Sequence, residues 1–332
     1  MTWLPVSIDS NSSDLDALLA LNPTTGKALT DFLAVAEQVN DRDMLGLCRT
    51  RMAQLLNCRT LLDGADPEQL ERLEGWSKSS DFSNAERTAL DFTELFMVAA
   101  RSISPAQREN LAKALGVGEP STFVYGLYIN EALVRFLAFA DVDPFSLDQL
   151  LSGSASVGEK SDRKYIEWVE GERAQTDASL LAAYYAFNRA TCAANLVDPL
   201  TDEMVRLRSA EYHDCKFCQS VRRVVDKPDG AGDLMGEVRD YANSSVLSAR
   251  QKTALEVLDT FLVAPATPSQ DLKARIVEHF SPAELVELLM KEMFWMSNKP
   301  MISLGTDPGA VSAANLTPFE YDAEGNFVLL AG

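Results

Sequence analysis

The residues best suited to chemistry lie between Glu203 and Arg222, EMVRLRSAEYHDCKFCQSVR. Cys215 and Cys218 form a C-x-x-C pair. His213 is one of only two histidines, Glu203, Glu211 and Asp214 precede the pair, and Arg222 and Arg223 follow it. Residues three apart share a helix face, so the two thiols can be neighbours. Asp214 suits an N-cap, which would put both thiols in a first helical turn, where partial positive charge favours a thiolate. Arg222, four residues beyond Cys218, would share that face. It can hold a thiolate by charge but cannot pass a proton. A close dithiol opens and closes as a disulfide, so oxidation is reversible. The same residues also fit two small buried cysteines. A zinc site with His213 as a third ligand fits less well, because no second C-x-x-C or H-x-x-x-H supplies the remaining ligands. His213 alone reads as a helix-end residue.

The chain around this stretch is long enough for two ordinary domains, with 332 residues, 46% apolar and 24% charged. A net charge of -19 argues against nucleic acid and anionic membrane surfaces as partners. No secretory signal is read in MTWLPVSIDSNSS, and five cysteines do not form a disulfide framework, so the expected location is the cytoplasm. No cofactor and no metal are expected.

The periodicity is helical almost throughout, and the expected class is all-α. Asn22-Pro23 breaks one helix and opens the next, and Pro67 suits a first turn. Ser83 and Glu86 make a capping box. Gly116 and Gly118 end a helix. TFVYGLYINEALVRFLAFA is apolar all round yet carries Asn130 and Glu131, which reads as a buried helix rather than a membrane span. The tail FVLLA is the one strand-like segment. Residues 151–162, rich in Ser and Gly, read as a linker, followed by the helical segment KYIEWVEGERAQ.

The second half repeats the first. RTRMAQLLNC at 49–58 aligns with RLRSAEYHDC at 206–215, FSNAERTALDF at 82–92 with LSARQKTALEV at 247–257, and Asp143-Pro144 with Asp307-Pro308. The offset grows from 157 to 165, absorbed by a loop at DKPDGAGDL. Two tandem copies of one helical domain are therefore expected: 14–150 as a degenerate copy, 151–174 as linker and lead-in helix, and 175–312 as the copy bearing the dithiol. In the first copy Leu61 stands where Cys218 would fall and Gly46 where Glu203 would fall, so that copy reads as scaffold.

With Glu203 twelve residues before Cys215, the C-x-x-C pair and the repeated Ser-to-Leu element (Ser83 to Leu90, Ser248 to Leu255), the chain resembles the carboxymuconolactone decarboxylase family, in its alkyl hydroperoxidase D-like branch. The resemblance implies two tandem all-α domains that assemble into homo-oligomers. It implies a thiol-dependent peroxidase-type oxidoreductase reducing hydroperoxides. Cys218 would attack the peroxide, Cys215 would resolve, Glu203 would anchor a proton relay, and a lipoyl-like or thioredoxin-like dithiol carrier would reduce the disulfide. The family's His falls at Arg222, and the His that some members carry between the cysteines falls at Phe217. Glu203 would then pair with Arg222, and a general acid would come from elsewhere, with His213 and Tyr212 the nearest in sequence. The alternative is a non-catalytic oligomeric scaffold or binding protein with a degenerate site. A lyase-like acid–base activity is a third, which has no need of paired cysteines.

Overall fold

The computed structural model describes residues 2–4, 13–144, 150, 176–230, 232–312 and 316–330. The expected linker at 151–162 and the segment KYIEWVEGERAQ, with Trp168, lie outside the described residues. The first half contains α1 (Asp14–Ala20), α2 (Pro23–Val39), α3 (Arg42–Leu55), α4 (Arg59–Leu62), α5 (Pro67–Glu74), α6 (Asn84–Ala99), α7 (Pro105–Leu115) and α8 (Ser121–Ala140). The second half contains α9 (Ala178–Ala193), α10 (Pro199–Tyr212), α11 (Lys216–Ser220), α12 (Leu234–Arg239), α13 (Ala249–Val263), α14 (Gln270–His279), α15 (Pro282–Trp295) and α16 (Lys299–Leu304). The fold is all-α, as the periodicity indicates.

The local signals act as read. Pro23 and Pro67 open α2 and α5 at the first helical position, where a missing N–H costs nothing. Ser83 and Glu86 form a reciprocal capping box on α6, and Ser248 with Gln251 does the same on α13. Gly116 closes α7 in the left-handed conformation, φ 69°. Helix α8 is long and apolar enough to cross a membrane, but it is buried along its whole length within the protein.

The packing order of the halves matches. Helix α3 packs on α6 and α8, and α10, at the aligned position, packs on α13 and α15. Pairwise details match as well. Arg51 Nε donates to Glu94 at 2.7 Å, and Arg208 Nε donates to Asp259 at 2.8 Å. Trp76 donates to Glu94 and Tyr241 to Asp259. Asn57 and Asp214 both take positive φ, 52° and 51°, just before Cys58 and Cys215. The halves do not have separate interiors. Helix α2 packs along α9, and one apolar cluster takes in Phe32, Tyr128, Tyr184, Phe187 and Phe261.

One feature of the fold departs from the helical reading. Val221–Arg223 forms strand β1, which pairs in parallel with β2 (Thr317–Tyr321), and β2 pairs antiparallel with β3 (Phe327–Leu329). Strand β3 falls within the strand-like tail FVLLA. Strands β1 and β2 are too short and too charged to show alternation. The β2–β3 hairpin lies beyond the expected limit of the second copy and packs beside Cys218.

Candidate functional site

Helix α10 ends at His213, Asp214 turns the chain through its positive φ, and Cys215 rather than Asp214 caps the five-residue α11. Asp214 instead meets Lys216 and, at 3.3 Å, Arg101. The Cys215 sulfur accepts the backbone N–H of Cys218 at 3.3 Å, which brings the thiols together as the spacing requires. Both are free and buried, 2% and 7% exposed.

Their environments push the two thiols apart in acidity. The hydrogen bond with Cys218 raises Cys215 well above the ordinary thiol value, and burial adds to the rise. The same bond lowers Cys218 below it. Burial opposes that shift, while the Arg206 charge and a hydrogen bond from Asn298 reinforce it. Asn298 Nδ2 lies 2.7 Å from the Cys218 sulfur. The arrangement is a thiolate-prone Cys218 next to a Cys215 that keeps its proton. Because α11 is so short, the lowering comes from neighbouring side chains and not from a long helix dipole.

Glu203 and Arg206 form a buried pair one helical turn apart on α10. Arg206 Nε and Nη2 donate to the two Glu203 carboxylate oxygens at 2.6 and 2.7 Å. Arg206 also donates to the backbone carbonyls of Cys218 at 2.7 Å and Val221 at 2.9 Å, and its guanidinium lies over the Phe319 ring at 5.1 Å. Burial works against the guanidinium charge, but Glu203 outweighs it and holds the Arg206 pKa above its ordinary value. Glu203 accepts the backbone N–H of Arg223 at 3.1 Å. The pair thus ties α10 to the chain at and just beyond Cys218.

Arg222 is not where helical spacing puts it. The helix stops at Ser220, so Arg222 falls on β1 and pairs with Asp233 at 2.9 and 3.0 Å. It neither holds Cys218 nor pairs with Glu203. Arg206 takes both roles. His213 caps α10 and does not line the cavity at Cys218. Its Nε2 is buried without a hydrogen-bond partner, and burial, aided by the charges of Lys299 and Arg135, holds its pKa well below the ordinary histidine value. Tyr212 is half-exposed and also outside the cavity.

The cavity at Cys218 measures about 110 Å³. Six aromatic side chains line it: Tyr184, Phe217, Phe294, Trp295, Tyr321 and Phe327. The hairpin closes one side. Gly325, φ 79°, sits so close to α9 that a Cβ would lie 2.2 Å from the Arg189 carbonyl, and Phe327 packs against Phe217 at 5.8 Å. Cys192 lines the same cavity, but burial pushes its thiol up to about 12. Among the described residues no group of three or more His, Cys, Asp or Glu side chains is placed to hold a metal ion.

The curated relative Rv2313c of Mycobacterium tuberculosis, an uncharacterized protein, is 32% identical over 229 residues, which cover 68% of this chain and 74% of that protein. The chain belongs to the Rv2313c family. A shorter match, 30% identical over 93 residues, covers 28% of this chain and 51% of the uncharacterized protein YnjA of Escherichia coli. No family model and no solved structure matches the chain.

Sequence reasoning found Cys215, Cys218 and Glu203, and it missed Arg206 and Asn298. Arg206 carried a signal, because it is three residues from Glu203 on a helix and i,i+3 charge pairs meet. Asn298 carried none, since it lies 80 residues from Cys218 and arrives by tertiary packing.

Proposed function

We propose that the chain is a thiol peroxidase-type oxidoreductase of the alkyl hydroperoxidase D-like kind, reducing hydroperoxides through Cys218 and Cys215. The observation that supports it is the split between the two adjacent thiols, one raised and the other, Cys218 at the wall of an aromatic-lined cavity, lowered. In this reading the Cys218 thiolate attacks the terminal peroxide oxygen. The O–O bond breaks, Cys218 becomes a sulfenic acid, and the leaving alkoxide takes the Cys215 proton to depart as an alcohol. The Cys215 thiolate then attacks the Cys218 sulfur, the S–O bond breaks, and hydroxide leaves as the disulfide forms. Two thiols lose two electrons and the peroxide gains two. Cys215 thus supplies the proton that a relay histidine would supply elsewhere.

Glu203 and Arg206 act in this reading as positioning residues, the guanidinium lending Cys218 its charge. The matched packing of the halves supports a tandem repeat, with the first half as scaffold. An external dithiol carrier would reduce the disulfide, homo-oligomers would be built from two-half chains, and the cytoplasm would keep the resting thiols reduced.

The test is steady-state consumption of tert-butyl hydroperoxide with dihydrolipoamide or thioredoxin as reductant. Turnover that disappears in Cys218→Ser and in Cys215→Ser supports the proposal. A protein that consumes no peroxide with either reductant, yet keeps its fold, is the scaffold of the alternative reading.

A further inference from the structure

Two arginines line the cavity at Cys218, in opposite situations. Arg206 spends its donors on Glu203 and two backbone carbonyls. Arg189, on α9, has no hydrogen bond or ion pair from its guanidinium to any described residue. Its sequence neighbour Asn188 also lines the cavity and is 7% exposed, and its Oδ1 is buried without a hydrogen-bond partner. Buried polar atoms are nearly always paired, so an orphan acceptor on a cavity wall points to a donor brought by a ligand. Apart from Ser297, Asn298, Cys192 and Cys218, the remaining wall is apolar and aromatic. The cavity, about 110 Å³, is small, which suits a compact ligand better than a long acyl tail.

We propose that this cavity selects a compact ligand bearing a carboxylate, held by Arg189, and a hydroxyl or hydroperoxyl group that donates to Asn188 Oδ1. Its apolar body lies against Trp295 and Phe327. The substrate is then a small hydroperoxy acid rather than a neutral alkyl hydroperoxide; that step rests on the peroxidase reading, whereas the anion and donor subsites stand on the cavity alone. Arginine suits the task because its planar fork matches a carboxylate.

The experiment separates the two layers. The reduced protein, without peroxide, is alkylated by iodoacetamide, and protection of Cys218 is titrated with 3-hydroxy-3-methylbutanoate, 3,3-dimethylbutanoate and tert-butanol. The hydroxy acid is expected to protect best. Arg189→Gln is expected to weaken that protection at least about tenfold, the scale of a lost charge-assisted hydrogen bond. Asn188→Ala is expected to erase the advantage of the hydroxy acid over the acid lacking the hydroxyl. Isothermal titration of the hydroxy acid gives the same ranking without using the thiol. Equal protection by tert-butanol, or indifference to Arg189→Gln in a protein of unchanged thermal stability, overturns the subsite. Arg189-dependent binding without peroxide turnover leaves the subsite standing and fails the peroxidase reading. Turnover of tert-butyl hydroperoxide with no acid preference does the reverse.

Discussion

Cys58 and Cys215 occupy equivalent places in the two halves, and the difference between them separates the shared backbone from the few side chains that set a thiol's character. Each follows a residue with positive φ, each caps a short helix, and each N–H reaches a carbonyl five residues back, Ala53 at 2.8 Å and Ala210 at 3.0 Å. The backbone is the same device twice. The side chains differ. Around Cys58 there is no second thiol, Leu61 packs against the core, and burial pushes the thiol up to about 11. Around Cys215 stand Cys218, the Glu203–Arg206 pair and Asn298. In the first half Arg49 takes the place of Arg206, yet Gly46 leaves it no carboxylate one turn back, and it turns to Glu37 and Asn130. The scaffold is held in common, and the thiolate-forming groups are confined to one half.

A second contrast concerns Glu131 on α8 and Glu292 on α15, both fully buried. Glu131 receives Lys299 at 2.7 Å and Arg135 at 2.7 Å. Glu292 has neither oxygen hydrogen-bonded, and burial, with Asp259 nearby, raises its pKa well above the ordinary carboxyl value. One half keeps a paired carboxylate and the other a neutral acid.

The largest expected difference between halves is in thiol chemistry. Cys218→Ser should abolish hydroperoxide-driven thiol loss, whereas Cys58→Ser should leave it intact, as thiol titration before and after peroxide would reveal. If Cys58→Ser also abolished it, the first half could not be scaffold alone.

The buried acids come next, and their effects should have opposite signs. Glu131→Gln leaves Lys299 and Arg135 without their counter-charge and is expected to cost about 3–5 kcal/mol in urea unfolding. Glu292→Leu removes an orphan polar group and is expected to gain about 1–3 kcal/mol at neutral pH. The pH dependence follows from the raised pKa. The native state holds the Glu292 proton more tightly than the unfolded chain, so its contribution is fully present below the ordinary carboxyl value and is lost as pH rises toward the native one. The gain in Glu292→Leu should therefore grow with pH, and a gain that is flat across pH 4–9 would contradict a neutral Glu292.

Smaller still is the effect expected at Asn298. Asn298→Ala removes one donor to the Cys218 sulfur and should slow its alkylation at pH 7 roughly tenfold, the scale of one hydrogen bond to a charged group. The least is expected of Arg222→Ala, because Arg222 pairs with Asp233 and not with the thiol. Alkylation of Cys218 should stay within about twofold, as befits a partly exposed ion pair. A large loss would restore Arg222 to the site.

Much of this was legible in the chain. The Ser83–Glu86 capping box, the opening Pro67, the buried α8 and the dithiol rest on local chemistry and show themselves as short patterns. What stayed hidden depends on distance. Arg222 was misplaced because the helix was extended past Ser220, where pairing of β1 with a segment almost a hundred residues later takes over. The cavity was invisible for the same reason: Asn188, the Trp295–Asn298 turn and Phe327 come from three separate stretches, and none has a spacing that announces the others.

The central claim is that Cys218 and Cys215 form a working redox centre. It is tested most directly by intact mass and peptide mapping of the reduced protein before and after one equivalent of hydroperoxide. The account predicts a rapid loss of two hydrogens, located at a Cys215–Cys218 disulfide and reversed by a dithiol. Five thiols still reduced under excess peroxide would contradict it.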